Sequence, residues 1–340
     1  MSNNITGKYF ENHVFADRIP EILEAVCLET GFVSDCEIFR GYIYDREKVG
    51  SVIHRGQWQG KTATLKLQGL KLETEEAAIL QGFTAQNRSM LVRVPEVFTH
   101  QPWDDARGYG YMLSEYVDAV PIFEMPTASL EQIGDFCRFF QEYRTNSVRE
   151  PWIPAPEVRA LDFTLARVAN WRRICEHKGR LAETDYAARC DLFTDLANQH
   201  LGNEKLVFCH GHLTANDILK TPNGGCILMS NLFWGWRLPW HDLAFNIWAC
   251  NLHQHPGLIG YGDVLDEIGL WRTAYKAMPV VQADPDFDRR FDFVMLERTL
   301  GAILADLGAG DSSRFQTKIL FDPLLKLHQE LFDQLALELA

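Results

Sequence analysis

One short polar segment gathers residue types that could carry chemistry. In HGHLTANDIL, His210, His212 and Asp217 follow one another within eight positions, between apolar stretches. Histidine titrates near neutral pH and can serve as a general base, whereas a carboxylate can hold a divalent cation. The segment therefore predicts a loop that contacts a ligand or its metal ion.

A second polar feature interrupts a strand pattern far upstream. Lys66 stands in the otherwise apolar stretch TATLKL, and the helix-forming stretch after it carries Glu73, Glu75 and Glu76. A lysine near a strand end is usually a solvated edge residue. Here a carboxylate on the following helix is close enough in sequence to pair with it.

The surrounding pattern predicts the elements that position these groups. β-Branched and aromatic residues, broken by glycines, predict an antiparallel sheet with one inserted helix. After Pro121 the pattern becomes mainly helical, with short strands on both sides of the polar loop. The predicted strands are 37–44, 51–55, 62–67, 94–98, 109–117, 205–208, 217–220 and 226–229. The predicted helices are 8–30, 72–83, 129–145, 158–178, 183–201, 240–252, 264–277, 287–307 and 322–339.

This arrangement resembles the aminoglycoside phosphotransferase and choline kinase family, which shares the two-lobed protein-kinase-like fold. The similarity runs from about residue 35 to about 255. HGHLTANDIL resembles the family's catalytic loop, His-Gly-Asp-Leu-x-x-x-Asn-Ile-Leu, and the upstream Lys66 and the downstream Asp242-Leu-Ala add to the match. The resemblance implies ATP or another nucleotide as cofactor and a small molecule as ligand.

The resemblance assigns a nucleotide-binding role to one set of residues on the N-lobe side. Lys66 is expected beside the phosphates with Glu76 as its partner, because AAIL follows Glu76 as in the family's helix; Glu73 and Glu75 remain alternatives. The residues assigned are Lys66, Glu76, Gly50, Ser51, Glu115 and Val117. Gly50 and Ser51 stand for the phosphate-binding turn, and the segment from Glu115 to Val117 is expected to meet adenine through its backbone.

The same resemblance places unusual residues at the catalytic positions. His212 falls where the family has its aspartate base, and Asp217 falls where it has a magnesium-binding asparagine. The second metal ligand falls at Ser230, counting back from Asp242, or at Asn231, because the apolar run ends at Met229. His210 and Asp242 are expected to brace the loop.

These substitutions alter the chemistry of metal binding. Magnesium takes hard oxygen ligands, usually one or two carboxylates besides phosphate oxygens and water. Asp217 supplies one carboxylate, whereas Ser230 or Asn231 offers only a neutral oxygen, and imidazole suits transition metals better. The sequence therefore predicts that magnesium–ATP chemistry is lost or altered, and whether magnesium binds is left open.

Aromatic residues crowd the segment between the loop and Asp242. Trp234, Trp236 and Trp240 could form an aromatic box around a cationic ligand, as choline would need. The alternative is packing in the core or between the lobes.

Composition sets outer limits on the function. Lys plus Arg is 33 and Asp plus Glu is 46, a net charge of −13, which does not favour nucleic acid as a partner. No apolar run is long enough to span a membrane, and the first residues do not form a secretory signal. The eight cysteines are scattered without a C-x-x-C pair. We expect a cytoplasmic protein that does not associate with membranes.

The sequence predicts an α+β protein with three parts. They are an N-terminal helical extension (1–34), a β-rich N-lobe on the nucleotide side (35–120) and a helical C-lobe (121–340) with the catalytic-like loop 210–219 and the hairpin 217–231. The leading hypothesis is a pseudokinase-like protein that binds a nucleotide or a small ligand. One alternative is an active kinase of a small hydroxylated or amine-bearing substrate that uses Asp217 and His212. The other is a protein-interaction scaffold with a vestigial cleft.

Overall fold

The structure is a computed structural model. It describes residues 13–43, 45–71, 74–123, 128–178, 181–252, 260–307 and 317–337. Within these ranges the chain is a mixed α+β protein with two lobes, as the sequence pattern predicts. Each lobe has its own cluster of buried apolar side chains.

The N-lobe is a mainly antiparallel sheet that carries two helices. Its elements are β1 (Val14–Phe15), α1 (Ile19–Thr30), β2 (Val33–Ile43), β3 (Asp45–Trp58), β4 (Lys61–Gln68), α2 (Glu76–Gln86), β6 (Val97–Asp104) and β7 (Tyr109–Glu115). β3 pairs with β1, β2 and β4, and β7 joins β4 to β6. The turn between β3 and β4 consists of Gln59 and Gly60, both at positive φ, so both strands extend further than the predicted strands 51–55 and 62–67.

The C-lobe is mainly helical, with short strands that hold the polar loop. Its helices are α3 (Leu130–Glu142), α4 (Ala160–Lys178), α5 (Glu183–His200), α6 (His241–Asn246), α7 (Tyr261–Lys276), α8 (Pro279–Gln282), α9 (Phe287–Gly301) and α10 (Thr317–Leu337). Its strands are β9 (Val207–Cys209), β10 (Ile218–Lys220), β11 (Cys226–Leu228) and β12 (Gly235–Arg237). The β10–β11 hairpin pairs with β5 (Val92–Arg93), which lies between α2 and β6, and with β8 (Val120–Pro121), which leads into the C-lobe.

Helix α2 belongs to the N-lobe by sequence but packs on the core of the C-lobe. Its buried residues Ile79, Leu80 and Phe83 join the larger apolar cluster. A Cβ at Gly82 would lie 2.5 Å from the ring of Trp152, so this close contact requires glycine. The helix that carries Glu76 is therefore fixed against both lobes.

The domain division at residues 34 and 120 stays a prediction, although elements change near both points. Helix α1 buries Ile19, Ile22 and Val26 in the N-lobe cluster, so the predicted extension packs on the sheet. Among the described helices, none combines the length and apolar character needed to cross a membrane. The eight cysteines are free thiols.

Candidate functional site

Lys66 and Glu76 form a buried ion pair in the N-lobe. Lys66 Nζ lies 2.5 Å from Glu76 Oε2, and only 12% and 9% of the two side chains are exposed. β4 places the lysine on the sheet, and the first turn of α2 places the glutamate opposite it. Because both side chains are sequestered from water, each charge depends on the opposite charge beside it. An uncompensated buried charge is strongly unfavourable.

Glu76 also reaches the C-lobe. Its second carboxylate oxygen, Oε1, accepts a hydrogen bond from the backbone N–H of Asn231 at 3.2 Å. The alternative partner Glu75 instead accepts the backbone N–H of Trp103 at 3.2 Å, and burial raises the pKa of its carboxyl group. The other alternative, Glu73, lies outside the described residues.

Gly50 and Ser51, which were predicted to form the phosphate-binding turn, do not lie in a turn. Both residues belong to the interior of β3, and Ser51 pairs with Gln68 across the sheet. The connection from β2 to β3 lies around residue 44, which is outside the described residues. The interpretation of Gly50 and Ser51 as an inter-strand turn is therefore wrong, because the second strand begins earlier than its glycine suggests.

The segment predicted to meet adenine begins where β7 ends. Glu115 is the last residue of β7, and Val117 lies in the irregular segment before β8. The carboxylate of Glu115 accepts two hydrogen bonds from the guanidinium of Arg93, each 2.6 Å long. This ion pair, which lowers the pKa of Glu115, joins β7 to β5.

Asp242 anchors the polar loop through its carboxylate. Its carboxylate accepts the backbone N–H of Gly211 at 2.7 Å, that of His210 at 3.2 Å, and the hydroxyl of Tyr143 at 3.1 Å. Gly211 has φ of +79°, and a Cβ there would lie 2.7 Å from the carbonyl oxygen of Phe233. The loop therefore needs glycine at this position, whatever chemistry follows it.

His210 is a neutral, buried part of this anchor. Its Nε2 donates a hydrogen bond to the carbonyl oxygen of Met229 at 2.8 Å, which ties the loop to the end of β11. Burial lowers the pKa of the imidazole. His210 therefore occupies the bracing position that the resemblance implies.

His212 and Asp217 form a dyad in the loop. Nδ1 of His212 lies 3.1 Å from Oδ2 of Asp217, and the imidazole stacks on the ring of Phe233 at 4.1 Å. Phe245 contacts the imidazole as well, with ring centroids 4.7 Å apart. About a third of the His212 side chain, 34%, is exposed. Nε2 makes no hydrogen bond with any described residue, so it is the ring nitrogen available to a ligand.

One carboxylate oxygen of Asp217 makes its contacts with residues of the loop itself. Oδ2 accepts the backbone N–H of Thr214 at 2.9 Å and its hydroxyl at 2.6 Å, besides the contact with His212. Burial raises the pKa of this carboxyl, but the two histidines and a hydrogen bond from Ser230 outweigh it, and the pKa lies below its ordinary value. Asp217 is therefore a charged carboxylate that is already solvated by the protein.

The residues at the metal positions do not fit a magnesium site. The side chain of Asn231 is buried: its Nδ2 donates to the carbonyl of Leu228, and its Oδ1 accepts the indole N–H of Trp234, both at 2.9 Å. Ser230 offers a neutral hydroxyl, which lies next to Asp217. Among the described residues, no group of three histidines, cysteines or carboxylates is positioned to hold a metal ion.

The structure packs Trp234 into the core, where it cannot line an aromatic box, and for Trp236 and Trp240 the box stays a prediction. Trp234 is buried, 2% exposed, in the core. The indole N–H of Trp236 donates to the carbonyl of Ile153, and that of Trp240 donates to Asp284. The three indole N–H groups donate to three different residues, Asn231, Ile153 and Asp284.

Sequence reasoning missed several residues that shape the site. Thr214 and Asp217 have the spacing of a capping box, a local signal that could have revealed their contact. Tyr143, Phe233 and Phe245 carried no such signal.

The fold and the sequence point to the same family. A sequence profile described as the Phosphotransferase enzyme family (APH) matches residues 56–229, just over half of the chain. No curated protein matches the sequence.

Three solved structures share the fold at low identity. A thermostable mutant of the aminoglycoside phosphotransferase APH(4)-Ia, in complex with ADP and hygromycin B, is 12% identical with a TM-score of 0.58, covering 94% of this chain and 97% of that one. Choline kinase from Cryptosporidium parvum Iowa II is 14% identical with a TM-score of 0.59, covering 93% and 97%. Spectinomycin phosphotransferase APH(9)-Ia, in complex with ADP and spectinomycin, is 13% identical with a TM-score of 0.53, covering 93% and 97%. The chain belongs to the Phosphotransferase enzyme family.

Proposed function

We propose that this protein binds a nucleotide in the cleft between its lobes without requiring magnesium, as a pseudokinase-like member of its family. The observation that carries the proposal is the state of Asp217, whose Oδ2 accepts hydrogen bonds from Thr214 and contacts His212. Oδ2 could bind a cation only by losing these contacts, so Oδ1 is the single carboxylate oxygen that Asp217 leaves to a metal ion. The proposal extends to a small polar ligand of the same cleft.

The N-lobe side of the cleft supports nucleotide binding. The buried pair of Lys66 with Glu76 keeps an ammonium group at a fixed position on β4. A fixed ammonium can neutralise phosphate charge that a metal ion would otherwise neutralise. Two of the similar structures hold ADP, which makes adenine nucleotides the first ligands to test.

The test measures thermal unfolding with ATP, ADP or GTP, each with magnesium and with a chelator. A ligand at about a hundred times its dissociation constant should stabilise the protein by about 2.7 kcal/mol. We expect the same rise in midpoint with and without magnesium. A rise that requires magnesium would contradict the proposal, and no rise with any nucleotide would favour the interaction scaffold.

Two substitutions on one strand locate the binding site. Lys66→Met should remove most of the nucleotide-induced shift, because the ammonium group is lost. Lys61→Met is the matched control, since Lys61 is exposed at the start of the same strand. Equal effects of the two variants would place the nucleotide elsewhere.

A variant with the family's residues tests the metal argument directly. The triple substitution His212→Asp, Asp217→Asn and Ser230→Asp gives the site the base and the two metal ligands that the resemblance implies. We expect it to make nucleotide binding depend on magnesium. A triple variant that folds and still ignores magnesium would contradict the explanation offered for the wild type.

A second candidate function is an active kinase in which His212 is the general base. The contact between Nδ1 of His212 and Asp217 favours it, because such a carboxylate fixes the tautomer and leaves Nε2 to accept a proton. Nε2 would take the proton of a substrate hydroxyl as that oxygen attacks the terminal phosphoryl group.

This second function is tested by ADP formation from ATP with amino alcohols and aminoglycosides. His212→Gln should abolish turnover, and Asp217→Asn should lower it and change its pH profile. Turnover that survives His212→Gln would reject the mechanism.

A further inference from the structure

A second cavity lies within the C-lobe, apart from the cleft residues. Its volume is about 590 Å³, and neither Lys66, Glu76, His212 nor Asp217 lines it. The end of α3, the segment before β9, the start of α6 and the turn between α8 and α9 form its walls. Cavities of roughly 300 to 1,000 Å³ hold small organic ligands. This one is therefore large enough for a ligand of its own.

The acidic groups of the cavity are already satisfied. Arg290 donates through Nε to both oxygens of Glu204 and through Nη1 to Oδ1 of Asp284. The indole N–H of Trp240 donates to Oδ2 of Asp284 at 2.6 Å. The third acid, Asp242, holds the catalytic-like loop with both of its oxygens. The carboxylates therefore offer little attraction to a cation.

The cationic groups, in contrast, retain unused donors. Arg144 uses only Nη1, which donates to the carbonyl of Phe208 at 2.9 Å, and its other nitrogens bond to no described residue. Lys205 is exposed and forms no ion pair with any part of the chain that the structure describes. Both line the cavity, together with the uncharged amide of Asn203 and Nδ1 of His241, so the charged groups that it leaves unpaired among the described residues are donors.

The remaining wall includes apolar side chains. Trp240, Pro239, Pro285 and Phe140 line it. The indole of Trp240 is held by its hydrogen bond to Asp284 and by an edge contact with Phe287 at 5.3 Å. A ring held in this way can pack against a planar ligand without further loss of side-chain freedom.

We propose that this cavity binds a planar aromatic anion. Its acidic group would contact Arg144 and Lys205, and its ring would pack against Trp240. The proposal is independent of nucleotide binding in the cleft, because the two sites share none of the residues assigned to the nucleotide. Asp242 lines the cavity and anchors the loop, so the occupant lies next to the support of the candidate active site.

Two fluorescent probes of nearly the same shape test the charge requirement. Anilinonaphthalene sulfonate carries the anionic group, and phenylnaphthylamine lacks it. Fluorescence titration of the full-length protein should give at least tenfold tighter binding of the sulfonate, as a charged hydrogen-bonded group contributes about 1.5 to 3 kcal/mol. Equal affinity for the two probes would overturn the proposal.

Variants locate the anion. Lys205→Gln and Arg144→Gln should each weaken sulfonate binding about tenfold and leave phenylnaphthylamine unchanged. Arg138→Gln is the matched control for the arginine, because Arg138 is exposed on α3 and pairs with Asp135. Since Lys205 is exposed, its variant remains informative even if Arg144→Gln fails to fold. Sulfonate binding that resists Lys205→Gln would contradict the proposal.

A steric variant tests whether the probes enter this cavity. Ala283 is exposed at its wall, so Ala283→Trp can fill space without disturbing the core. The substitution should weaken both probes at least tenfold. If both probes bind Ala283→Trp as they bind the wild type, they lie on another surface and the proposed site is wrong.

Discussion

The two walls of the cleft differ in what their charged groups do. In the N-lobe, Lys66 and Glu76 form one ion pair and present an ammonium group at the sheet. In the C-lobe, Asp217 is turned inward to Thr214 and His212. The first wall keeps a group that can meet phosphate, whereas the second keeps the shape of a catalytic loop and uses its carboxylate to hold that shape.

This difference shows that the residues that hold the loop's backbone are not the residues proposed to do chemistry. Gly211 and Asp242 fix the loop through backbone N–H groups, which do not depend on the residue at position 212. Glu76 links the walls by accepting the N–H of Asn231. The scaffold and the chemistry are thus carried by different residues, and they can be altered separately.

The largest expected effect is on the anchor of the C-lobe wall. Asp242→Ala leaves the buried N–H of Gly211 and the hydroxyl of Tyr143 without their acceptor, whereas the N–H of His210 keeps its 2.8 Å bond to the hydroxyl oxygen of Tyr143. Each unsatisfied buried group costs about 1 to 3 kcal/mol, so we expect the free energy of unfolding to fall by about 4 kcal/mol. Urea denaturation measures it.

A matched acid elsewhere in the C-lobe serves as control. Asp266→Ala changes an exposed residue of α7 and should shift the free energy of unfolding by at most about 0.5 kcal/mol. Similar losses in the two variants would mean that Asp242 does not anchor the loop.

The sequence could predict contacts between residues that are near in the chain, but not contacts between residues that are far apart in the chain. The alternation of TATLKL predicts a strand over 62–67 and the next pattern predicts a helix over 72–83; the structure has β4 and α2 there, with α2 beginning at Glu76. The capping-box contact within the loop spans three residues, so the local sequence pattern could have revealed it. The contact of Tyr143 with Asp242 spans 99 residues, and no local pattern reveals it.

The inward orientation of Asp217 could not be predicted from residue types alone. An aspartate at this position suits a metal ion as well as a cap, and only the loop's geometry decides between them. Likewise, Gly50 suggested a turn, although the strand continues through it, because a glycine in a strand and a glycine in a turn look alike in sequence.

The second prediction concerns the loss of stability in acid that buried histidines of the C-lobe cause. His210, His241 and His328 of the C-lobe are buried, and burial lowers the pKa of each, for His328 to about 3. Below pH 6.5 the unfolded chain binds protons that the folded protein does not, so stability is lost as the pH falls toward the folded pKa. For His328 the loss should reach about 2 kcal/mol at pH 5.

Urea denaturation at pH 7 and pH 5 tests this assignment. His328→Gln should reduce the difference in unfolding free energy between the two pH values by about 2 kcal/mol. Thr299→Val removes the hydroxyl that contacts Nδ1 of His328 at 3.2 Å and leaves the titrating group in place. It should lower stability at both pH values and preserve the difference; a His328→Gln variant that also preserves it would refute the role of this histidine.

The third prediction addresses the N-lobe wall and rests on the proposed function. Glu76→Gln removes the charge that positions Lys66, so nucleotide affinity should fall about tenfold, or about 1.4 kcal/mol. Isothermal titration with ADP measures it. Glu75→Gln is the matched control, because Glu75 contacts the Trp103 N–H and not the lysine. If both variants bind ADP as tightly as the wild type does, the ion pair does not contribute to nucleotide binding.

The smallest expected effect is at the connection between the lobes. Arg93 and Glu115 form a two-point ion pair between β5 and β7, but 49% and 29% of their side chains are exposed. Water and salt screen such pairs, so Arg93→Gln should lower the free energy of unfolding by only about 0.5 kcal/mol, and by less at high salt. Urea denaturation at two salt concentrations measures this. A loss above about 2 kcal/mol would mean that the surface pair, rather than the buried bond from Asn231 to Glu76, holds the walls together.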